Sequence, residues 1–344
     1  MKILIAIILF VFCSYNALGQ SIFVSNTGND LNIGTINKPF RTIERAIKEV
    51  NSKTDSATIF LREGIYYQEK SLEFININNI TLTAYPNEKV YITGGISIKK
   101  KYIRALEDNI VSSRINKKIR KSIKTINFNK LGITISDLDK RGFEYPTKAA
   151  WNEVFVNNQP LQIAQWPNNY MIKTHKVING GNIKSKGVKG QGYPIIEYIE
   201  NEPNTWENIN GGWICGYFGE GWADDMLPIK SLDKKNKRIT IGSSSLYGFK
   251  ADGVYRRWFI KNLPEAIDLP GEYVHDATIN EICFLPPQKN INKVQLSILK
   301  DPILQIKSSE NVTIKTLDTT YSDSKSFSYN GGVQAYTAPY DGYY

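Results

Sequence analysis

Short apolar segments alternate with turn-forming residues between positions 58 and 92, and this repeat restricts the fold more than any other feature of the sequence. Each segment has the alternation of a β-strand, and the segments span residues 58–61, 72–75, 80–84 and 90–92. Ile59 and Ile80 are 21 positions apart, about the length of one coil of a β-solenoid. Because one coil cannot bury its own apolar face, we expect these coils to stack.

An amphipathic helix is predicted before this repeat, after a strand at residues 22–24 and a polar loop. Proline is tolerated in a first helical turn, so Pro39 is expected to open the helix. Four apolar residues would then share one face of it: Ile43, Ala46, Ile47 and Val50. A helix in this position would shield the open end of the stack from solvent and from edge pairing.

The coil spacing is lost from about residue 98 to residue 287, although the sequence stays rich in β-strand patterns. Residues 155–161 predict a hairpin with Asn157 and Asn158 in its turn. Coil-like strands return at residues 294–298, 303–306 and 312–314. We therefore expect N-terminal coils at 21–97, an inserted β-rich domain at 98–287, and resumed coils at 288–344.

Both ends of the chain carry features that bear on where the protein acts. Residues 1–20 have the positive start, apolar centre and small residues of an export signal, which predicts a secreted or periplasmic protein cleaved near Gly19 or Gln20. No second long apolar run follows, so no membrane span is expected. The stretch up to Tyr344 has no capping element, which predicts an incomplete stack of coils.

The few cysteines and histidines limit the chemistry that this chain can support. After the signal, Cys215 and Cys283 remain, and their spacing fits either one disulfide or two buried thiols. His175 and His275 are the only histidines. A zinc site or a Ser-His-Asp hydrolase therefore has few ligands or bases to draw on.

Positive charge is concentrated in one part of the sequence. The formal charge is +10, and residues 99–124 hold ten Lys and Arg against two acids. Such a stretch attracts acidic polymers, but a solvated surface segment is the simpler interpretation. The export signal argues against nucleic acid as the partner.

Several motifs together resemble one family of proteins. Residues 25–30, with Gly34, Thr35 and residues 39–47, resemble the opening motif of secreted, pectate-lyase-like right-handed parallel β-helix proteins. Four later segments are similar to a branch of these proteins close to the family 141 glycoside hydrolases: residues 92–95, 155–168, 216–224 and 262–287.

This resemblance implies an all-β fold, namely a right-handed parallel β-helix with a capping helix, interrupted by a β-rich inserted domain. It implies a secreted glycoside-hydrolase-like protein acting on complex polysaccharide of the plant cell-wall type. Members of the branch continue for several coils beyond Thr316, so the chain is expected to be truncated. Its catalytic residues are then expected beyond Tyr344, and catalysis by this chain is expected to be weak or absent.

Candidate site residues follow from the chemistry of glycoside cleavage, which needs two carboxyl groups flanking the scissile bond. Asp224 and Asp225 follow an aromatic residue, but neighbours on a strand face opposite ways and would share a site only in a loop. Glu272 follows a Pro-Gly turn, and we expect it to hold backbone amides or to pair with Arg256 or Arg257. The candidate substrate-binding residues are Trp222, Arg257 and Trp258.

Three alternatives remain open from the sequence. A β-helix polysaccharide lyase would use a Lys or Arg base and Ca²⁺. This is the only hypothesis under which a metal or cofactor is expected. A non-catalytic glycan-binding module would bind saccharide without releasing new reducing ends, and a gene fragment would have no selected function. Polysaccharide is the expected partner in the first two, and the sequence gives no oligomeric state.

Overall fold

The computed structural model describes residues 19–53, 56–107, 110–143, 145, 151–182, 189–250 and 256–315. Its regular secondary structure is mostly β-strand with few helices, which confirms the all-β prediction. The described residues form two compact units. The first contains residues 19–66, 72–91 and 304–315, and the second contains residues 67–71 and 92–303. The predicted export signal and the predicted incomplete end lie outside the described residues, except for Gly19, Gln20 and the strands up to residue 315.

Helices are short and few in the described residues. The α-helices are Ile43–Lys53, Ile110–Arg114 and Lys117–Arg120. Single 3₁₀ turns lie at Lys100–Tyr102, Phe128–Leu131, Glu202–Thr205 and Pro264–Ala266.

A parallel sheet of four strands organises the first unit. In spatial order its strands are Gln20–Val24, Ala57–Leu61, Ile80–Ala84 and Val312–Ile314. Ile59 pairs with Leu82, so one layer takes 23 residues rather than the 21 estimated from the sequence. Alternate side chains on each of the first three strands are buried, because successive residues on a strand point to opposite faces.

Two layers of this unit pair strands that are far apart in the sequence. Strand Leu72–Ile75 pairs in parallel with Leu304–Lys307, and Ile80 pairs with Val312. Both pairings have the same offset of 232 residues. The turn between the two strands also recurs, because two equivalent positions in each turn have positive φ: Asn76 and Asn79 in one layer, Ser308 and Asn311 in the other.

The predicted helix forms, but it begins later than expected. It spans Ile43–Lys53, and its four predicted apolar residues are all buried. The Thr42 hydroxyl accepts the amide of Arg45 at 3.2 Å and so caps the helix start. Pro39 lies outside the helix, because Phe40 still makes a parallel bridge with Val24.

Three sheets, mostly antiparallel, build the second unit. The largest runs Gln165–Trp166, Arg257–Lys261, Trp213–Tyr217, Asp224–Asp233, Arg238–Ile241, Ile195–Glu197 and Lys176–Asn179, with Arg141–Gly142 and Ile172–Lys173 at its side. A second runs Gln159–Pro160, Val154–Val156, Val294–Ser297 and Gly95–Ile98. A third runs Gln162–Ile163, Glu272–Asp276, Glu281–Phe284, Lys124–Asn127 and Arg104–Ala105. Further strands span Gly64–Tyr67 and Val90–Thr93.

One strand expected among the resumed coils belongs elsewhere. Val294–Ser297 pairs antiparallel with Gly95–Ile98 and with Val154–Val156. Its four residues are all buried, so the strand is covered on both faces. The sequence pattern of such a strand does not identify the strands with which it pairs. The prediction for this strand is therefore wrong, whereas the parallel β-helix and the inserted domain stay predictions.

The predicted hairpin is confirmed. Phe155 pairs with Pro160 and Val156 with Gln159. Asn157 and Asn158 have φ values of 51° and 65°, as a two-residue hairpin turn with left-handed residues requires.

The largest sheet has an apolar cluster on each face. Ile214, Leu227 and Trp258 lie in one cluster, and Cys215 and Met226 lie in the other. Cys215 and Cys283 are both buried and no disulfide joins them, which answers the question that the sequence left open. This sheet carries the candidate site at one end of its strands.

Candidate functional site

Three aromatic side chains form a partly exposed cluster, here called the aromatic cluster: Phe143, Trp222 and Tyr247. Trp222 is 58% exposed and Phe143 is 44% exposed. The Trp222 ring meets Phe143 edge-on with centroids 5.0 Å apart, and meets Tyr247 at 4.9 Å. Such edge-to-face contacts hold a ring in place, so Trp222 presents a fixed apolar surface to solvent.

Backbone contacts fix the members of the aromatic cluster. The amide of Phe143 donates to the carbonyl of Asp224 at 3.0 Å, which ties it to the start of strand Asp224–Asp233. A Cβ at Gly219 would lie 2.5 Å from the carbonyl oxygen of Tyr247. Only glycine fits this close approach, so Gly219 allows Tyr247 to pack beside Trp222.

A row of polar side chains crosses the same sheet. Asp224 pairs with Tyr217, and Tyr217 pairs with Arg257. Arg257 in turn pairs with Lys173. Directly opposed residues on neighbouring strands share a face, so these four side chains form one cross-strand row, here called the polar row. Arg257 and Lys173 are exposed and Asp224 is half-buried.

Asp225 lies on the opposite face from the polar row. It is opposed by Gly216, which is opposed by the buried Trp258. Burial raises the pKa of the Asp225 carboxyl to about 7, a hydrogen bond with Ser245 lowers it in part, and the charge of Asp224 raises it further. Burial also raises the pKa of Asp224, against hydrogen bonds from the amides of Asp224 and Phe143.

The candidate carboxyl pair does not share one face. Asp224 and Asp225 both belong to strand Asp224–Asp233, so the loop that would bring them together is not formed. Adjacent strand residues point to opposite faces. These two residues therefore do not provide the flanking arrangement that glycoside cleavage needs.

The structure separates the three candidate substrate-binding residues. Trp222 is exposed in the aromatic cluster, and Arg257 lies in the polar row. Trp258 is 0% exposed and lies in the apolar cluster of the sheet, so its prediction as a substrate contact is wrong. The cause is strand alternation, which turns Trp258 inward where its neighbour Arg257 faces solvent.

Glu272 anchors a turn, as the structural interpretation expected. Its Oε2 accepts the amides of Asp268 and Leu269, each at 2.9 Å. Burial raises the pKa of Glu272 to about 7, and these amide bonds lower it in part. Glu272 borders a cavity of about 340 Å³ whose lining also includes Gln159, Gln162 and Asn168. Two of the segments that carried the resemblance, residues 155–168 and 262–287, meet at this cavity.

Sequence reasoning missed a further cavity, of about 360 Å³. Its lining includes Trp213, Asp137 and His275. Burial lowers the pKa of His275 to about 4, although the charges of Asp137 and Asp276 raise it in part. The only signal in the sequence was the rarity of histidine, because the lining comes from distant segments.

The described part of the chain has neither a metal-ligand cluster nor a helix that could span a bilayer. No group of three or more His, Cys, Asp or Glu residues there could hold a metal ion. No described helix is both long and apolar enough to span a bilayer.

Comparison with known proteins gives short sequence matches. The sequence model of a protein family of unknown function, DUF1565, matches residues 26–79. An uncharacterized protein of Bacillus subtilis, YwoF, is 36% identical over 78 residues, which is 22% of this chain and 16% of YwoF. Both matches are restricted to a small part of the chain.

Comparison with solved structures extends over most of the chain. A structure titled as a glycoside hydrolase aligns with 86% of this chain at a TM-score of 0.55 and 14% identity. The chain spans 50% of that hydrolase. A complex of XylC with xylose aligns at a TM-score of 0.26 and 14% identity, over 75% of this chain and 33% of that one, which is too low to indicate a shared fold. The chain thus shares its fold with a glycoside hydrolase.

Proposed function

We propose that this chain is part of a glycoside-hydrolase-like protein that binds complex polysaccharide, of the plant cell-wall type, on the aromatic cluster and the polar row. The observation that carries the proposal is the exposed Trp222 ring, held by two aromatic neighbours beside a row of charged and hydroxyl side chains. The fold shared with a glycoside hydrolase supports the same class of ligand.

The chemistry of the two surfaces suits a saccharide. An exposed, rigid ring offers an apolar surface against which the C–H face of a sugar stacks. The polar row adds a carboxylate, a phenol and two cations that hydrogen-bond hydroxyl groups. Large exposed aromatic groups next to polar residues are typical of binding surfaces.

The first unit supports the proposed parallel β-helix fold. Its parallel strands repeat with a fixed register, and residues 232 positions apart lie in adjacent layers. A right-handed parallel β-helix with an inserted domain accounts for both features.

Binding is the step that the described residues explain. Asp224 and Asp225 face opposite ways and Glu272 holds a turn, so none of the candidate carboxyl groups is assigned to catalysis. We propose that this chain binds its polysaccharide with weak or no turnover. Export from the cytoplasm is part of the same proposal and follows from residues 1–20.

Calorimetric titration with xylan and pectin fragments tests the proposal. We expect saturable binding that Trp222→Ala weakens by about fivefold or more, since a stacked aromatic contributes about 1 kcal/mol or more. The control is Tyr193→Ala, which removes an exposed ring that contacts Lys230 rather than the aromatic cluster. Equal affinity of Trp222→Ala and the unchanged protein would overturn the proposal.

Product analysis of the same mixtures separates the alternatives. New reducing ends without ultraviolet-absorbing products would identify a hydrolase. Unsaturated, ultraviolet-absorbing products that require Ca²⁺ would identify a lyase. Binding without products is the result that we expect for this chain.

A further inference from the structure

The cavity around His275 combines an aromatic wall with acidic groups. Trp213 and Leu138 supply apolar surface, and the acidic side chains at the lining are Asp137, Asp276 and Glu281. Its volume of about 360 Å³ falls at the lower end of the range of small-molecule sites, about 300–1,000 Å³. The cavity is therefore large enough for one small organic ligand.

The electrostatic balance of the cavity is negative. Arg114 also lines it, but Glu265 holds that guanidinium through hydrogen bonds of 2.7 and 2.9 Å. The charge of Arg114 is thus neutralised within the wall. Negative charge on the remaining lining contrasts with the formal charge of +10 on the whole chain.

Asp137 and His275 have unused capacity for hydrogen bonds. Asp137 is exposed at the cavity and accepts no hydrogen bond from another described residue. His275 is 5% exposed and its Nε2 is buried without a partner. Buried polar atoms without partners are rare in proteins and require an explanation. The side-chain amide of Asn262, by contrast, has partners for both its nitrogen and its oxygen. It donates to the carbonyls of Gly211 and His275 and accepts the amide of His275.

We propose that this cavity binds a small organic cation, a primary ammonium group carried on a ring-sized body. The ammonium group donates hydrogen bonds to the carboxylate of Asp137, with Asp276 adding negative charge, and the body of the ligand packs against Trp213. A cation near an indole ring is also stabilised by the ring itself. This site is separate from the polysaccharide surface and does not depend on the proposed function.

Two matched ligand pairs test the charge requirement by calorimetry: benzylamine with benzyl alcohol, and glucosamine with glucose. We expect at least one amine to bind roughly tenfold or more tightly than its neutral counterpart, as a charged hydrogen bond implies. Asp137→Asn should remove this preference and leave the affinity of the neutral compound unchanged. Asp301→Asn, which makes the same charge change at an exposed residue outside the cavity, should retain it.

Four results would overturn the proposal. They are no binding of either amine, equal affinity of amine and neutral counterpart, an equal loss in Asp137→Asn and Asp301→Asn, or displacement of the amine by stoichiometric Ca²⁺ in the unchanged protein. The last result would identify the ligand as a metal ion. The polysaccharide titrations test a different surface with different ligands. A negative result for the amines would therefore not contradict the proposed function.

Discussion

Asn311 donates a hydrogen bond from its side-chain Nδ2 to Oδ1 of Asn79 over 2.9 Å, although the two residues are 232 positions apart. Both residues have positive φ, 55° and 56°, and each immediately precedes a strand of the parallel sheet. The same turn is thus repeated in two adjacent layers. Within the first unit, the strands near residues 80 and 312 are therefore neighbours in space, although 232 positions separate them in the sequence.

We expect Asn79→Ala and Asn311→Ala each to lower the free energy of unfolding of the first unit by about 1–2 kcal/mol, because a Cβ-bearing residue without a polar side chain is disfavoured at positive φ. Asn79→Gly keeps the backbone conformation and removes only the amide, so its loss isolates the hydrogen bond at about 1 kcal/mol. Urea unfolding of the single and double variants gives the coupling. Fully additive losses would show that the two side chains do not interact.

The two asparagines of the hairpin turn, Asn157 and Asn158, contribute differently to stability. Asn157 accepts the amides of Asn292 and Lys293 at 2.9 and 3.0 Å and donates to the carbonyl of Asn290 at 2.8 Å. Asn157→Ala should therefore cost about 2 kcal/mol or more in thermal or urea unfolding, since several partners lose their bonds.

Asn158→Gly is the matched change at the next position. Asn158 has φ of 65° and makes one exposed contact, with Lys293. Glycine adopts this conformation without strain, so stability should stay within about 0.5 kcal/mol of the unchanged protein. A large loss in Asn158→Gly would contradict the assigned turn geometry.

The pH dependence of stability should reveal Asp225. Burial raises its pKa from 3.8 to about 7, so the folded protein retains a proton that the unfolded chain has released. Stability is therefore greatest below the unfolded pKa and is lost as the pH rises from about 4 through 7. Asp225→Asn removes this titration. The variant should therefore be more stable than the unchanged protein at pH 8, by on the order of 4 kcal/mol.

The comparison uses urea unfolding of both proteins at pH 4 and pH 8. At pH 4 the two should be nearly equal, because Asp225 is then neutral in the folded protein. Asp301→Asn is the control, since Asp301 is exposed and surface changes have small effects. A difference between Asp225→Asn and the unchanged protein that is the same at both pH values would contradict the burial of an ionisable group.

Local patterns in the sequence were sufficient for many elements of the fold. The helix Ile43–Lys53, the strands of the early layers and the 157–158 hairpin all depend on neighbours within a few residues. The strand Val294–Ser297 was assigned correctly as a strand but to the wrong sheet, because alternation does not identify the partner strand. The true layer length of 23 residues likewise became clear only from the register of paired strands.

The site was harder to predict than the fold for the same reason. Trp222 and Arg257 were identified as candidate contacts, but the position of Trp258 in the apolar cluster depends on which face of the sheet is covered. The cavity at His275 draws its lining from segments between residues 111 and 283. No local pattern brings such residues together, so tertiary structure was needed to find it.

Nuclear magnetic resonance of the tryptophan indole groups tests the central claim most directly. The chain has six tryptophans, and loss of one indole signal in Trp222→Phe assigns that of Trp222. On titration with xylan or pectin oligosaccharides, we expect the Trp222 signal to shift progressively while that of the fully buried Trp258 stays in place. A Trp222 signal that does not move at saturating oligosaccharide would contradict polysaccharide binding on the aromatic cluster.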